Sequence, residues 1–349
     1  MVFIIGNALI IMLVLICIIL ILIFITGNKK KNYTIREFYS LGTSNQLKVY
    51  GKRAERAIEE SVKKIYEIDN KMSVFKEYSE ISKINKHAGN QAQIVSKDTY
   101  YVIQKAIKYC SISRGAFDIT IGPIVGLWGI GKVGQQIPSI SEIKEKLKVV
   151  NYQDVVINNN TSSVFLKNKK QKIDVGGIAK GYAADEVKNI LLSNSIKSAL
   201  INLGGNILVL GTKEDGTPWN VGIQNPLGTR GEFALILSVI NKSVVTSGNY
   251  ERYFEQDGKK FHHIINPKTG FPSESDIISA TIISNNSIDG DGLSTGVYIM
   301  EVQKAIKLIE EIDGVDAIFI TKNKEVYVTT GIIGKFKITS DEFVYKDVI

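Results

Sequence analysis

Cysteine is scarce in this chain, which has 349 residues and two cysteines, Cys17 and Cys110. Cys17 lies within an apolar N-terminal run, so the rest of the chain holds one cysteine and cannot form an internal disulfide framework. No Cys/His arrangement and no Ser/His/Asp order stands out. The sequence therefore gives no sign of a nucleophilic triad.

Phosphate-binding signatures and basic stripes are missing as well. The chain contains neither Gly-x-x-x-x-Gly-Lys-Ser/Thr nor Gly-x-Gly-x-x-Gly, and it has no internal repeat. Lys+Arg (43) exceed Asp+Glu (35), with a net charge of +8, but the lysines are scattered among carboxylates. We therefore expect no nucleic-acid partner. An anionic small ligand or a membrane surface explains the excess positive charge as well as a nucleic acid would.

A long apolar run is present near the N-terminus, at residues 8–25. With its flanking apolar residues it reaches the ~20 residues that cross a bilayer. No small-residue cleavage site follows, which favours an uncleaved anchor in the lipid bilayer over a removed signal peptide. The predicted organisation is a transmembrane anchor (1–27), a polar tether (28–38) and one folded domain (39–349).

The side of the membrane is set by the charges that flank this run. Lys29, Lys30 and Lys31 follow it, and no basic residue precedes it. Because positive flanks stay on the cytoplasmic side, these lysines favour a cytoplasmic domain on a single-pass anchor.

The stretch from Asp174 to Asp185 has the pattern of a strand that ends in Gly176-Gly177 and continues as a helix. Glycines allow a ligand to approach the unpaired N–H groups of a helix start. Lys180 falls in the first turn, where a cation opposes the helix dipole unless an anion lies between them. The pattern indicates a phosphate site, and an ordinary strand–turn–helix with a solvated lysine is the alternative.

Two adjacent histidines, His262 and His263, precede a turn set by Pro267 and Gly270. Neighbouring side chains of a strand point to opposite faces, so at most one of them faces a site. An imidazole titrates at about 6.5 and serves as a general base near neutral pH. The alternative is a pair of surface histidines without a catalytic role.

Oxygen-bearing side chains cluster between Asp289 and Thr295. Asp291 and Thr295 are four residues apart, so on a helix their oxygens share one face and suit a hard cation. The alternative is that Asp291 is a plain helix N-cap. Thr246, Ser247 and Gly248 are a further candidate for phosphate binding, through their hydroxyls and backbone N–H groups.

The order of predicted elements indicates the fold class. Helices alternate with strands that mostly pair as hairpins, which favours an α+β fold with mixed, largely antiparallel sheets layered with helices. A parallel doubly wound sheet is not expected.

Six motifs together resemble one family, the FAD:protein FMN transferases (ApbE-like), over about residues 39 to 335. The resemblance implies an ApbE-like or T-fold-like architecture, and it makes the folded domain a flavin transferase domain. The motifs are Gly115–Gly129, Asp174–Tyr182, Asn202–Gly205, Thr246–Gly248, His263–Gly270 and Asp291–Thr295.

The resemblance implies a Mg²⁺-dependent transfer of FMN from its substrate FAD to a threonine of an acceptor protein, with release of AMP. The acceptor would be an electron-transfer flavoprotein or a flavin-dependent reductase. His263 is implied as the catalytic base. The implied FAD contacts, with Thr246 added for phosphate, are Leu41, Phe75, Ala116, Phe117, Asp118, Asp174, Lys180, Thr246 and Ile265. The implied metal ligands are the carbonyl of Gly177 with Asp291, Ser294 and Thr295.

The chain departs from the usual family pattern at four positions. Leu41, Phe75, His262 and Asn266 stand where Met, Tyr, Ser and Asp are usual, which affects fine contacts rather than the reaction. The family normally acts outside the cytoplasm, against the expectation from Lys29–Lys31. Two other functions stay open: a Mg²⁺-dependent FAD pyrophosphatase that uses water, and a membrane-tethered flavin-binding module without turnover.

Overall fold

A computed structural model describes residues 32–347 of the chain. The predicted membrane anchor and Lys29–Lys31 lie outside these residues. Within residues 32–347, no helix is both long and apolar enough to cross a membrane.

The described residues form eight α-helices, two short 3₁₀-helices and seventeen strands. The helices are α1 (Ala54–Met72), α2 (Glu80–Lys86), α3 (Lys97–Ile112), α4 (Gly122–Trp128), α5 (Ile140–Leu147), α6 (Ala179–Ser193), α7 (Ser287–Ile299) and α8 (Val302–Glu310), with 3₁₀ turns at Tyr152–Asp154 and Thr330–Ile332. The strands are β1 (Tyr33–Ser40), β2 (Thr43–Tyr50), β3 (Gln93–Ile94), β4 (Val155–Asn158), β5 (Ser163–Leu166), β6 (Ser198–Leu203), β7 (Asn206–Leu210), β8 (Trp219–Gln224), β9 (Phe233–Val239), β10 (Ser243–Gly248), β11 (Tyr253–Gln256), β12 (Lys259–His262), β13 (Ile277–Ser284), β14 (Asp316–Thr321), β15 (Glu325–Val328), β16 (Phe336–Ile338) and β17 (Val344–Lys346).

A nine-stranded sheet in the order β1-β2-β6-β7-β10-β13-β14-β15-β17 dominates the fold. Its neighbouring strands are antiparallel, except that β17 runs parallel to β15. Three smaller sheets accompany it, in the orders β16-β9-β8, β3-β5-β4 and β11-β12. The predicted class, α+β with largely antiparallel sheets, is confirmed.

Strand β13 lies next to the central strand of this sheet, and all eight of its residues are buried. On one face, Ala280 and Ile282 pack in a core with residues of the helices, including Ala183 of α6. On the other face, Ile283 packs in a second core with Leu235 of the sheet β16-β9-β8. A nearly continuous apolar run is typical of a strand covered on both faces. The result is three layers: helices, large sheet, small sheet.

The predicted polar tether, residues 28–38, requires correction from Tyr33 onward, and residues 28–31 lie outside the described residues. Strand β1 begins at Tyr33 and pairs with β2 along its full length, from Tyr33 opposite Tyr50 to Ser40 opposite Thr43. Because β1 is an edge strand with several exposed residues, its composition is polar enough to resemble a linker.

The segment Ser198–Leu210 is a hairpin of β6 and β7. Gly204 and Gly205 form its turn, with φ of +61° and +90°. A two-residue hairpin turn with positive φ at both positions favours glycine, which explains the pair.

Helix α7 begins at Ser287, before Asp291. Its glycines reduce helix propensity and obscure its start in the sequence. They serve close packing instead: a Cβ on Gly292 would lie 2.4 Å from the ring of Tyr109. Because α7 begins at Ser287, Asp291 lies inside the helix.

Candidate active site

The site is built around the loop that leads into α6. The N–H of Asp174 donates to the carbonyl of Ile119 at 2.7 Å, which ties this loop to the segment before α4. The Oδ1 atom of Asp174 accepts from the N–H of Gly176 at 2.8 Å. Asp174 thus shapes the glycine turn through its side chain.

Lys180, in the first turn of α6, faces back across this turn. Its Nζ lies 3.2 Å from the carbonyl oxygen of Gly176 and 3.4 Å from Oδ1 of Asp291. The predicted alternative of an ordinary solvated lysine does not hold, because Lys180 is paired with a carboxylate from a different helix.

Asp291 is 4% exposed and lies in the second turn of α7. Its Oδ2 atom accepts from the backbone N–H of Gly181 at 2.9 Å. The alternative of a plain N-cap is therefore wrong, since Asn286 holds that position. A buried charge needs a partner, and Lys180 with the start of α6 provides one.

The oxygens near Asp291 form a set that hard cations prefer. Thr295 lies one helical turn further on, and its hydroxyl would be 3.8 Å from a Cβ on Gly177. The hydroxyl of Ser294 donates to the carbonyl of Asp291 at 3.1 Å and accepts from the hydroxyl of Ser247 at 2.9 Å. Carboxylate, hydroxyl and carbonyl oxygens suit Mg²⁺.

Among residues 32–347, no group of three or more His, Cys, Asp or Glu side chains could hold a metal ion. The site around Asp291 does not require such a group, because Mg²⁺ is usually held by one or two carboxylates with water and substrate phosphates. The residues present fit Mg²⁺ and lack the nitrogen and sulfur ligands of a zinc centre.

His263 lies near two positively charged side chains, those of Lys180 and Arg252. Its Nδ1 is 3.2 Å from the carbonyl oxygen of Arg252. When Nδ1–H donates to that carbonyl, Nε2 is the basic atom. Burial, with the charges of Arg252 and Lys180, lowers the pKa of His263 to about 4, although the hydrogen bond to Arg252 opposes the shift. His263 is therefore neutral at pH 7.

His262 points elsewhere, as the alternation of a strand predicts. Its Nε2 lies 2.9 Å from the carbonyl oxygen of Ser273, and its Nδ1 accepts from the N–H of Ile264 at 3.3 Å. Its ring also makes an edge contact with Tyr298. Burial lowers the pKa of His262. This histidine is a buried structural residue rather than a surface one.

Phe117 and Ala116 contribute a buried wall beside Gly177, since a Cβ on Gly177 would lie 3.1 Å from the Phe117 ring. Asp118 is buried with both oxygens engaged inside the protein. Oδ1 accepts from the N–H and hydroxyl of Thr120, and Oδ2 from the N–H of Tyr152. Burial raises the pKa of Asp118 against these bonds. The Asp118 carboxylate therefore stabilises the wall that Ala116 and Phe117 form.

The expectation for Thr246 needs correction. Its hydroxyl lies 2.8 Å from that of Thr281, its cross-strand neighbour. Because successive residues of β10 face opposite sides, Ser247 faces α7 and Thr246 faces away from it. Ser247, which bonds Ser294, is the hydroxyl that reaches the site.

Three further predicted residues lie in different surroundings. Leu41 has a φ of 54° in the β1–β2 turn, and the adjacent Gly42 carbonyl accepts from Nη2 of Arg252 at 3.2 Å. Phe75 is 71% exposed, with Nζ of Lys132 4.4 Å from its ring centre. Ile265 is buried in a cluster with Trp128 and Phe254.

Two residues that contribute to the site were missed in the sequence. Gly181 donates its N–H to Asp291, and the Arg252 carbonyl orients His263. Gly181 lies within a motif that the sequence already singled out. Arg252 carries no sequence signal, because its contribution comes from a backbone carbonyl.

A model of the ApbE family matches residues 41–319, most of the chain. The chain belongs to the ApbE family. The resemblance drawn from the motifs is thereby confirmed, and with it the expectation of a transferase.

ApbE relatives match over most of their own length. A protein of Klebsiella pneumoniae named FAD:protein FMN transferase is 38% identical over 259 residues, which cover 74% of this chain and 80% of the relative. A protein of the same name from Treponema pallidum is 34% identical over 321 residues, covering 87% and 89%. The crystal structure of the ApbE protein of Thermotoga maritima has a TM-score of 0.81 and 31% identity, covering 87% of this chain and 99% of that one.

Proposed function

We propose that this protein transfers FMN from FAD to a threonine hydroxyl of an acceptor protein and releases AMP, with Mg²⁺ as cofactor. The observation that carries the proposal is the pairing of Lys180 with the buried Asp291 beside the glycine turn of α6. Family membership supports the flavin chemistry, because the relatives bear the name FAD:protein FMN transferase.

The start of α6 supplies positive charge for the pyrophosphate of FAD. Backbone N–H groups at a helix start bind phosphate oxygens, and Lys180 adds a full charge at the same place. Phosphoryl transfer depends on positioning and charge neutralisation more than on covalent help from the protein. When bound by Asp291, Thr295 and their neighbours, Mg²⁺ would neutralise phosphate charge at this centre.

His263 is the proposed base. The threonine oxygen attacks the FMN-side phosphorus, the bond from that phosphorus to the oxygen of AMP breaks, and AMP leaves with the bonding electrons. The threonine proton passes to Nε2 of His263, since Nδ1 is directed at the Arg252 carbonyl. A neutral imidazole at pH 7 is in the correct protonation state to accept it.

Intact mass spectrometry tests the reaction directly. The full chain is incubated with FAD, Mg²⁺ and a threonine-containing acceptor domain, and AMP is measured in parallel. We expect the acceptor to gain one FMN per AMP released, and a Thr→Ala acceptor to gain none. Release of AMP and free FMN without an acceptor would indicate the water-using pyrophosphatase. Stable FAD under Mg²⁺ would indicate a binding module and contradict the proposal.

The acceptor class and location are part of the proposal. The acceptor is an electron-transfer flavoprotein or a flavin-dependent reductase, and residues 1–27 anchor the enzyme with its domain outside the cytoplasm, as is normal for the family. Proteolysis of intact cells tests the side of the membrane. Protection of the domain would favour the cytoplasmic side indicated by Lys29–Lys31.

A further inference from the structure

We propose that Asp185 is a positioning residue for the oxygen site at Asp291, acting by fixing α7 against α6. The inference rests on the proposed function, because it concerns the affinity of that site for Mg²⁺. Asp185 is outside the set of residues predicted for the site, and it lies on the helix that also carries Lys180.

The carboxylate of Asp185 caps the first turn of α7 from outside that helix. Oδ1 accepts from the N–H of Ser287 at 2.7 Å, and Oδ2 accepts from the N–H of Ile288 at 2.9 Å. N–H groups at a helix start have no partner within the helix, and a negative charge there is stabilised by the helix dipole. Asn286, the N-cap residue of α7, makes no side-chain cap bond of its own. The cap is therefore supplied by α6.

A second bond runs between the same helices in the opposite direction. One turn before Asp185, the N–H of Gly181 donates to Oδ2 of Asp291 at 2.9 Å. Asp291, one turn after Ser287, thus accepts a hydrogen bond from α6 through its own carboxylate. Each helix therefore carries one carboxylate that accepts backbone N–H bonds from the other helix. The position of Asp291 depends on how α7 is held against α6.

The helices can lie this close because position 181 has no side chain. A Cβ on Gly181 would lie 2.4 Å from the carbonyl oxygen of Ser287. The hydroxyl of Ser287 is also tied to the large sheet, since it donates to Oδ1 of Asn206 at 2.6 Å and accepts from the hydroxyl of Ser243 at 2.8 Å. The start of α7 is thus fixed against the sheet on one side and α6 on the other.

Loss of the Asp185 carboxylate would remove its two hydrogen bonds to the start of α7. The bonds of Ser287 to the large sheet would remain. The Asp291 carboxylate would then shift relative to Lys180 and the carbonyl of Gly177. Residues that orient metal ligands typically change metal affinity by ~10–100-fold when they are altered. Burial raises the pKa of Asp185 to about 6, against the two N–H bonds, so this carboxylate is mostly charged at pH 7.

The test compares two neighbouring acidic residues of α6. Asp185→Asn keeps the shape but removes the charge and can accept only one of the two N–H bonds through its oxygen. Glu186→Gln is the matched control, because Glu186 faces α1 and pairs with Lys64 at 3.3 Å. Mg²⁺ is titrated by calorimetry into the full chain with saturating FAD, and FAD binding without Mg²⁺ is measured by flavin fluorescence.

We expect Asp185→Asn to weaken Mg²⁺ binding by ~10–100-fold, with FAD affinity in the absence of Mg²⁺ and the transfer rate at saturating Mg²⁺ both near normal. Glu186→Gln should leave Mg²⁺ affinity unchanged. Ser139→Ala, which removes the capping box of α5, controls for a general loss of stability.

Unchanged Mg²⁺ affinity in Asp185→Asn, with only a lower melting temperature, would overturn the positioning role and leave the proposed function intact. An equal loss of affinity in Ser139→Ala would overturn it too, because the effect would then follow from stability. Failure of the unaltered chain to bind Mg²⁺ in the presence of FAD would overturn both proposals.

Discussion

The backbone N–H and the Nδ1 atom of His263 both lie within hydrogen-bond distance of one oxygen, the carbonyl of Arg252, at 3.1 and 3.2 Å. A carbonyl can only accept, so it selects the tautomer with hydrogen on Nδ1. The same arginine reaches the Gly42 carbonyl with its guanidinium, which links His263 to the β1–β2 turn. The orientation of His263 is thus set by main-chain geometry.

The low pKa of His263 predicts its titration. Burial and nearby cations lower the pKa to about 4 from an ordinary value of about 6.5. The folded state therefore binds this proton less tightly than the unfolded state, and neutral His263 contributes stability that is lost as pH falls from about 6.5 to 4. NMR of the ligand-free chain should show one imidazole with a midpoint near 4. A His263→Gln spectrum assigns that signal, and a midpoint near 6.5 would contradict the burial.

Replacement of the two histidines should separate catalysis from stability. His263→Gln should lower FMN transfer by ~10²–10⁴, the usual effect of a positioned base, with FAD binding retained. His262→Gln should instead lower the free energy of unfolding by about 1–3 kcal/mol, because a buried hydrogen-bonding group is disturbed. Urea unfolding and single-turnover transfer give the two quantities. Loss of transfer in the folded His262→Gln protein alone would reverse the assignment.

Asp291→Asn should abolish Mg²⁺-dependent transfer while FAD still binds. The change removes the carboxylate from the oxygen set and leaves Lys180 without its ion pair. Asp289→Asn is a suitable control, since Asp289 lies on the same helix but faces Lys105 and Tyr109. Flavin fluorescence and AMP release measure binding and turnover. Normal turnover in Asp291→Asn would exclude this carboxylate from the metal site.

Gly181→Ala should destabilise the protein although alanine favours helices. Gly-to-Ala within a helix usually stabilises by about 1 kcal/mol. Here the new Cβ would lie 2.4 Å from a carbonyl oxygen of α7, so the helices must separate. Gly126→Ala in α4 is the control, because its Cβ would meet no atom within 4 Å. Thermal melts of both variants distinguish packing from propensity, and equal stabilisation of both would contradict the close contact.

The cluster around Asp98 predicts part of the acid sensitivity. Asp98 accepts from Lys71 at 2.8 Å, Lys64 at 3.0 Å and Tyr182 at 2.9 Å. Burial opposes ionisation, but these three bonds prevail and lower the pKa of Asp98 to about 2.

The charged form therefore stabilises the fold above about pH 4, and this contribution is lost as pH falls towards 2. Asp98→Asn should lower the free energy of unfolding by about 1–2 kcal/mol at pH 6 and by less at pH 3. Urea titrations at the two pH values provide the comparison, and a pH-independent difference would exclude the ion pairs as its cause.

The sequence predicted those features that depend on local pattern. Serine caps stand at three helix starts, Ser79, Ser96 and Ser139, and a serine before a helical apolar pattern is a signal that the sequence carries locally. The helical pattern after Gly177 located α6, but the segment before Gly176 is a loop rather than the expected strand. The place of Lys180 in the first helical turn and the four-residue spacing of Asp291 and Thr295 pointed to these residues, and the family motifs agreed.

Features that depend on distant pairing could not be predicted. The start of α7 was hidden because its glycines favour close packing over helix propensity. The exposed side chains of β1 gave no sign that it pairs with β2. The orientation of His263 depends on the carbonyl of Arg252, and every residue type supplies a carbonyl.

Under the proposed N-terminal anchor, the position of β1 would limit the distance between the candidate active site and the membrane. The β1–β2 turn holds Gly42, which contacts the arginine that orients His263. Gly42 lies fifteen positions after Gly27, the last residue of the predicted anchor, and a chain of that length spans at most roughly 50 Å. An enzyme anchored in this way would modify only threonines that come within that height of its own bilayer. Acceptors would then be selected by where they reside as well as by their sequence.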